Sequence, residues 1–185
     1  MIYAGFKFAP VPNWDSIMTI KAPSNYKRQE AIDDYIAKRR ADLVAGEAAT
    51  NLLTGSVVQI AVREGEEGEI KLLEGEDVLT FFYTAVKAAG DYVVAGYRIH
   101  RAMKILALMY AQWEQAPAIP VHFYRVIDDV YNKVNGFIDP VSLLFGTTDI
   151  DLFSVAARCG VSADVDDPRA LVEFAQVMLR NVDIG

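Results

Sequence analysis

The sequence predicts an α/β fold in which helices cover both faces of a mixed five-stranded sheet. Short apolar or alternating segments, such as residues 2–8 and 92–96, are typical of β-strands. Longer segments, such as residues 76–89 and 99–113, repeat their apolar residues at the spacing of one helix face. A hairpin joins two of the early strands, and a helix, a strand and a second helix follow. This order is typical of a mixed sheet with helices on both sides.

The length and composition indicate one globular domain over residues 1–185. Hydrophobic residues make up 52% of the chain and charged residues 23%, which are globular values. No run of about 18 apolar residues is present, which argues against a membrane span. The first ten residues lack the charged start and the long apolar core of a signal peptide. We therefore expect a cytoplasmic protein with no membrane partner.

The cysteine and histidine content argues against disulfide and zinc chemistry. The single cysteine, Cys159, permits no internal disulfide. Only His100 and His122 could join it as soft metal ligands, which is too few for a structural zinc site. We expect Cys159 to be a buried and unreactive thiol.

The charge distribution bears on nucleic-acid binding. The net charge of −7 opposes unspecific attraction to phosphates, although a local basic cluster can override the global sign. Two basic clusters are present, and both could instead be ordinary solvated helix faces. They consist of Lys27, Arg28, Lys38, Arg39 and Arg40, and of Arg98, His100, Arg101 and Lys104.

The first half of the chain contains three predicted strands and one helix. Residues 2–8 alternate in polarity and form the first strand. After a loop, residues 30–44 place Ile32, Tyr35, Ile36 and Leu43 on one side of a charged helix. Residues 57–63 and 69–73 form a hairpin across the acidic, glycine-containing turn 64–68. We interpret that turn as solvated rather than as a metal cage.

The second half alternates helices and strands. Gly90 suits the end of the helix over residues 76–89, before the strand 92–96 and the helix 99–113. A further helix is predicted over residues 121–134. Residues 137–144 suggest a fifth strand, in which Pro140 favours an edge or bulged position.

Two helices are predicted near the end of the chain. The pattern Thr148-x-x-Asp151 predicts a capping box for a short helix that closes at Gly160. Asp167 and Pro168 predict the cap and the first position of the last helix. The inward residues of that helix are expected to be Leu171, Phe174, Ala175 and Met178.

Four passages carry a resemblance to a known family: MIYAGFKFAPVPNW at 1–14, KAPSNYKRQEAIDDYIAKRRADL at 21–43, LLTGSVVQIAVREGEEGEIKLLEGEDVLTFF at 52–82 and DYVVAGYRIHRAMKILALMY at 91–110. They resemble the DnaQ-like (DEDD) 3′–5′ exonucleases of the ribonuclease H fold. Bacterial and phage proteins related to the proofreading domain of family-B DNA polymerases are the most similar branch. The resemblance implies a ribonuclease H-like sheet.

The acids that this family needs are missing from the matching positions. The family mechanism uses four carboxylates around two metal ions, and hard Mg²⁺ or Mn²⁺ requires oxygen ligands. The resemblance puts Gly5 and Lys7 at the Asp-x-Glu of the first strand. It puts Met103 and Met178 at the acids of the second and third motifs, and Arg98 at an asparagine. We expect both methionines to pack in the core, and we expect no metal or other cofactor.

Three functions remain open at this point. The first is a degenerate, inactive exonuclease-like protein that binds single-stranded nucleic acid through Lys7, Arg98, His100 and Arg101. The second is a structural or regulatory scaffold for a protein partner or a homo-oligomer. The third is an active Mg²⁺- or Mn²⁺-dependent nuclease whose ligands have moved to the surroundings of Asp139. We favour loss of catalysis and assign no catalytic residue.

Two of these residues have simpler interpretations. Asp139 could be a loop residue that holds a turn beside Pro140, or it could pair with Lys7 in the former cleft. His100 could be an exposed histidine in the first turn of a helix rather than a phosphate ligand.

Overall fold

The computed structural model describes most of the chain, namely residues 1–88, 91–119, 136–146, 152–162 and 164–182. Two compact units are present. The first consists of Met1–Lys7 with Val57–Gly185, and the second of Phe8–Ser56. The single domain predicted over residues 1–185 stays a prediction.

The sheet has five strands and is mixed, as predicted. Its strands, in the spatial order β3-β2-β1-β4-β5, are β1 (Ile2–Pro10), β2 (Gly55–Glu64), β3 (Lys71–Glu74), β4 (Val94–Ala95) and β5 (Phe137–Ile138). The hairpin strands β2 and β3 are antiparallel. By contrast, β4 is parallel to both β1 and β5, with Val94 opposite Ile2 on one side and Phe137 on the other.

Eight helices lie in the described ranges. They are α1 (Trp14–Ile17), α2 (Gln29–Ala45), α3 (Glu47–Thr50), α4 (Glu76–Lys87), α5 (Ile99–Ala111), α6 (Pro140–Phe145), α7 (Leu152–Cys159) and α8 (Pro168–Leu179). The helices α1, α3 and α6 were not predicted. Each is six residues or shorter, which is too short for a helical repeat of apolar residues to be visible.

Helices cover both faces of the sheet, as the order of the elements predicts. On one face, the ring of Phe6 packs edge-on against Phe81 of α4, with 6.3 Å between the ring centroids. On the other face, Tyr3 joins a buried cluster with Val172 and Leu179 of α8. Strand β1 is therefore buried on both faces from Tyr3 to Phe6, as expected for a central strand.

The smaller unit has its own apolar cluster. Trp14, Leu43 and Ala48 are buried together, and the guanidinium of Arg40 lies 6.0 Å from the centre of the Trp14 ring. Arg40 also forms an ion pair with Asp15. Leu43 is buried, whereas the other three residues predicted for the apolar side of α2 are only half-buried.

The predicted fifth strand over residues 137–144 is wrong beyond Ile138. The side chain of Asp139 accepts hydrogen bonds from the backbone N–H groups of Val141 and Ser142, and Pro140 occupies the first helical position. A capping aspartate followed by proline starts a helix, so α6 forms where a strand was expected. The two-residue strand β5 does lie at an edge of the sheet, as predicted.

The start of the last helix is confirmed. The side chain of Asp167 accepts a hydrogen bond from the N–H of Arg169 at 2.9 Å, and Pro168 begins α8. The predicted inward residues of α8 are all buried. The helix predicted over 121–134, the capping box at 148–151 and the cap at Gly90 lie outside the described residues.

No helix in the described ranges is both long enough and apolar enough to cross a bilayer.

Gly96 lets β4 lie close to β1, and this contact yields a test of the fold. A Cβ atom at residue 96 would lie 2.3 Å from the carbonyl oxygen of Ala4 and 3.2 Å from a ring carbon of Phe6. We expect Gly96→Ala to lower the free energy of unfolding by about 1–3 kcal/mol, because the strand backbone must move. Urea denaturation measures this. Ser24→Thr, which adds a methyl group at an exposed position, is the control and should leave stability unchanged.

Candidate site at the carboxyl ends of the parallel strands

The predicted site residues lie at one edge of the sheet, at the carboxyl ends of the parallel strands β4 and β5 and beside the middle of β1. Lys7 lies four residues beyond the Tyr3–Ala95 pair, towards the end of β1. The helix α5 begins after β4, and Asp139 follows β5 directly. Open α/β sheets bind ligands at the carboxyl ends of their strands, so this edge is the candidate site.

Arg98 occupies the turn between β4 and α5 in a left-handed conformation. Its φ of 56° is the only positive φ of a residue other than glycine in the described part of the chain. That conformation costs roughly 1–2 kcal/mol for a residue with a Cβ atom. The backbone N–H of Arg98 donates a hydrogen bond to Asp139 at 2.7 Å, which helps to hold the turn. The exposed guanidinium lies 5.1 Å from the centre of the Tyr97 ring.

Asp139 is the buried polar centre of this edge. It is 3% exposed, and one carboxylate oxygen accepts hydrogen bonds from the N–H groups of Val141 and Ser142 at 3.0 and 3.3 Å. The other oxygen accepts the bond from Arg98. Burial raises the pKa of the Asp139 carboxyl, while the three backbone hydrogen bonds and His100 oppose the rise.

This arrangement corrects two interpretations of Asp139. The proposed Asp139–Lys7 ion pair is wrong, since the ion pairs found among the described residues are Arg39–Glu47 and Arg40–Asp15. Asp139 is also more than a loop residue that holds a turn. Its side chain caps α6 and bonds the residue immediately before α5.

His100 is half-buried in the first turn of α5, so the prediction of an exposed histidine is wrong. Burial lowers the pKa of the imidazole, and the charge of Lys104 lowers it further. The nearby Asp139 carboxylate acts in the opposite direction. A lowered pKa means that the ring is mainly neutral at pH 7, so it can both donate and accept a hydrogen bond.

Three of the positions that the resemblance matches to family acids lie in the core, whereas the fourth, Lys7, is half-buried. A Cβ atom on Gly5 would lie 1.8 Å from the carbonyl oxygen of Pro168 and 3.0 Å from the Cβ of Leu171. The first turn of α8 therefore covers Gly5. Met103 is 1% exposed on α5 and Met178 is buried on α8, so the prediction that both pack in the core is confirmed.

Two aromatic rings pack together in the core of the larger unit, and no functional signal in the sequence pointed to them. Tyr97 is buried, and its ring meets that of Phe174 edge-on at a centroid separation of 6.4 Å. The pair belongs to an apolar cluster that also contains Val141, Leu152, Ala156, Leu171 and Met178. In the sequence, Tyr97 adjoins the buried apolar run of β4 and is not distinguished from it.

The structure brings together three of the four predicted binding residues. Arg98, His100 and Arg101 are consecutive or nearly so at the start of α5. Lys7 is half-buried at the same edge. Among the described residues, no hydrogen bond or ion pair joins its side chain to Arg98, His100 or Arg101. Cys159 is half-buried, with its Sγ 3.6 Å from the Sδ of Met178, which fits a packing role.

Among the residues described, no three His, Cys, Asp or Glu side chains converge as a metal site requires.

Comparison of the chain with protein-family models, with curated proteins and with solved structures finds no match. The resemblance to DnaQ-like exonucleases stays a prediction.

The lowered pKa of His100 predicts a pH dependence of stability. The unfolded imidazole has a pKa of about 6.5, and the folded pKa lies below it. Between these two values the unfolded chain binds more protons, so stability falls as the pH drops below about 6.5. We expect wild type to lose more stability than His100→Gln between pH 7.5 and 5.5, measured by urea denaturation.

The raised pKa of Asp139 gives the folding stability the opposite dependence on pH. Its folded state binds more protons above the unfolded pKa of 3.8, so its contribution falls as the pH rises through the folded pKa. The comparison is therefore repeated in the Asp139→Asn background, in which residue 139 does not titrate. Equal pH profiles for the chains with and without His100 in that background would contradict the assignment.

Proposed function

We propose that this chain is a ribonuclease H-like, exonuclease-related protein that has lost hydrolysis and binds single-stranded nucleic acid at the edge where α5 begins. The main observation in support of the loss of hydrolysis is the contact between Gly5 and Pro168. With 1.8 Å between a would-be Cβ and the Pro168 oxygen, neither a carboxylate nor a metal ion has room at residue 5. The cytoplasmic location is part of the proposal.

The order of elements supports the ribonuclease H-like assignment. The family resemblance implies a first strand, an insertion, a hairpin, and then alternating helices and strands. The described elements follow that order, with α1 to α3 in the insertion and α4, β4 and α5 after the hairpin. Parallel pairing of β4 with β1 stops at Tyr3 and Ala95, and Gly96 lies against Ala4 and Phe6, so the turn into α5 lies beside Gly5, which the resemblance matches to the first acid of the family.

The chemistry of the start of α5 supports phosphate binding. The helix has no side-chain cap, and the N–H groups of His100 and Arg101 have no acceptor among the described residues. Free N–H groups at a helix N-terminus attract anions, and two guanidinium groups beside them add charge-assisted donors. Arg98 and Arg101 are exposed. A local cation cluster of this kind can bind phosphate although the chain carries a net charge of −7.

The hydrogen bonds of Asp139 argue against a relocated metal site. Its two oxygens already accept three N–H bonds, from Arg98, Val141 and Ser142. A metal ligand there would have to give up bonds that hold the starts of two helices.

One observation favours the second candidate, a scaffold for a protein partner or homo-oligomer. Leu143, Leu144 and Phe145 are consecutive on α6 and are 37%, 43% and 49% exposed. Consecutive exposed apolar residues are typical of interaction surfaces. This candidate predicts a stable complex in solution and no affinity for nucleic acid.

Binding of fluorescein-labelled single-stranded DNA and RNA, followed by anisotropy at several salt concentrations, tests the proposed interface. We expect the double variant Arg98→Asn/Arg101→Gln to reduce the slope of log K against log salt by roughly 1.4, since two phosphate contacts are lost. Asparagine at residue 98 tolerates the left-handed turn.

The matched control is Lys27→Gln/Lys38→Gln, which removes two exposed cations from the smaller unit and should leave the slope unchanged. An equal reduction of the slope in both double variants would mean that the binding is only unspecific electrostatic attraction, which would contradict the proposed interface. No binding by wild type at low salt would overturn the proposal in favour of the scaffold.

A nuclease assay with Mn²⁺ on single-stranded DNA and RNA tests the loss of catalysis. We expect the substrates to remain intact at enzyme excess, because neither Gly5 nor Lys7 can ligate a metal. Asp139→Asn is assayed in parallel. Cleavage by wild type that disappears in this variant would mean that the metal site has moved to Asp139.

A further inference from the structure

A cavity of about 630 Å³ lies between α4 and the sheet in the larger unit. Its floor consists of Ile2, Val62, Leu73 and Val94, which come from four different strands. Strand pairing explains why they share a face. Ile2 lies opposite Val94 in the parallel pair, and Val62 lies opposite Lys71, two residues before Leu73, in the hairpin.

The cavity is separate from the candidate site at the start of α5. It is lined by Met1, Ile2 and Val94, at the amino ends of the parallel strands β1 and β4. The residues proposed to bind nucleic acid follow the carboxyl end of β4, at the start of α5. A ligand in the cavity would therefore not compete with nucleic acid, and this inference does not depend on the proposed function.

The interior of the cavity is apolar. Phe81 and Ala85 of α4 form its helical wall, and Tyr92, 57% exposed, lies at its mouth. The hydroxyl of Thr84 donates a hydrogen bond to the carbonyl of Thr80 at 2.9 Å, so that donor is already used. These walls offer apolar and aromatic contact.

The charged groups lie at the rim and have both signs. Glu64, Lys71 and Asp77 line the cavity, and all three are exposed. Exposed charges are screened by water and salt, and opposite signs cancel at short distance. The rim therefore gives no strong preference for an anion or a cation. A charged ligand would lose hydration in the apolar interior without gaining a buried partner.

We propose that this cavity binds an uncharged, largely apolar small molecule with an aromatic ring. The volume is within the range of ligand pockets, and at about 30 Å³ for each water-sized group it holds on the order of twenty non-hydrogen atoms. Phe81 and Tyr92 are the aromatic side chains that would contact the ring.

Fluorescence titration with N-phenyl-1-naphthylamine tests the proposal on the full chain. This probe is neutral, has a size that fits the cavity and fluoresces strongly in apolar surroundings. We expect saturable binding of one probe per chain. The matched probe 8-anilino-1-naphthalenesulfonate carries the same rings with a sulfonate, and we expect it to bind at least about tenfold more weakly because its charge must be desolvated.

The variant Thr84→Trp locates the binding. Thr84 is an exposed residue of the cavity wall, so an indole there fills the cavity without disturbing the core. We expect Thr84→Trp to abolish the saturable fluorescence rise, and the control Leu144→Trp, on the exposed face of α6, to leave it unchanged. Circular dichroism shows that each variant is folded. Unchanged binding in Thr84→Trp, equal affinity for the two probes, or no saturable binding by wild type would each overturn the proposal.

Discussion

The carboxylate of Asp139 bonds to the starts of two helices at once. One oxygen receives the first-turn N–H groups of α6, and the other receives the N–H of Arg98 just before α5. Because β4 and β5 are parallel neighbours, this one side chain determines where the chain leaves both strands. Removing this acceptor leaves three N–H groups without their partner, and an unsatisfied N–H that is buried, as that of Val141 is, costs about 1–3 kcal/mol. The left-handed turn at Arg98 depends on this bond, and so does the position of the basic residues that follow it.

Close contacts between backbones explain why the core beneath the candidate site is apolar. Gly5 admits the first turn of α8, and Gly96 admits the backbone of β1, so helix and strands meet with no side chain between them. The space left over is filled by the rings of Tyr97 and Phe174. An acid could enter this floor only if α8 moved away, because van der Waals overlap at 1.8 Å cannot be relieved by a change of rotamer.

The sequence predicted what depends on local pattern and missed what depends on distant contacts. The strands, α4, α5 and the Asp167–Pro168 start of α8 follow from periodicity and capping chemistry, which are properties of adjacent residues. The same capping rule applied to Asp139 and Pro140 would have predicted α6, but the apolar run of residues 137–144 suggested a strand instead. The burial of His100 and the bond from Arg98 to Asp139, which is 41 residues away, have no local signal. The location of the candidate site at the end of β4 was predictable, because a strand followed at once by a helix is visible in the sequence.

The outer strands of the sheet also bear on self-association. In the described sheet the two edges are β3, with four residues, and β5, with two. An exposed edge offers unpaired N–H and C=O groups on which another chain can form cross-β pairs. Here β5 turns into a helix after Ile138, and β3 carries Lys71 and Glu74 at its ends. Short edge strands and charged residues at their ends are two features by which natural sheets limit such pairing.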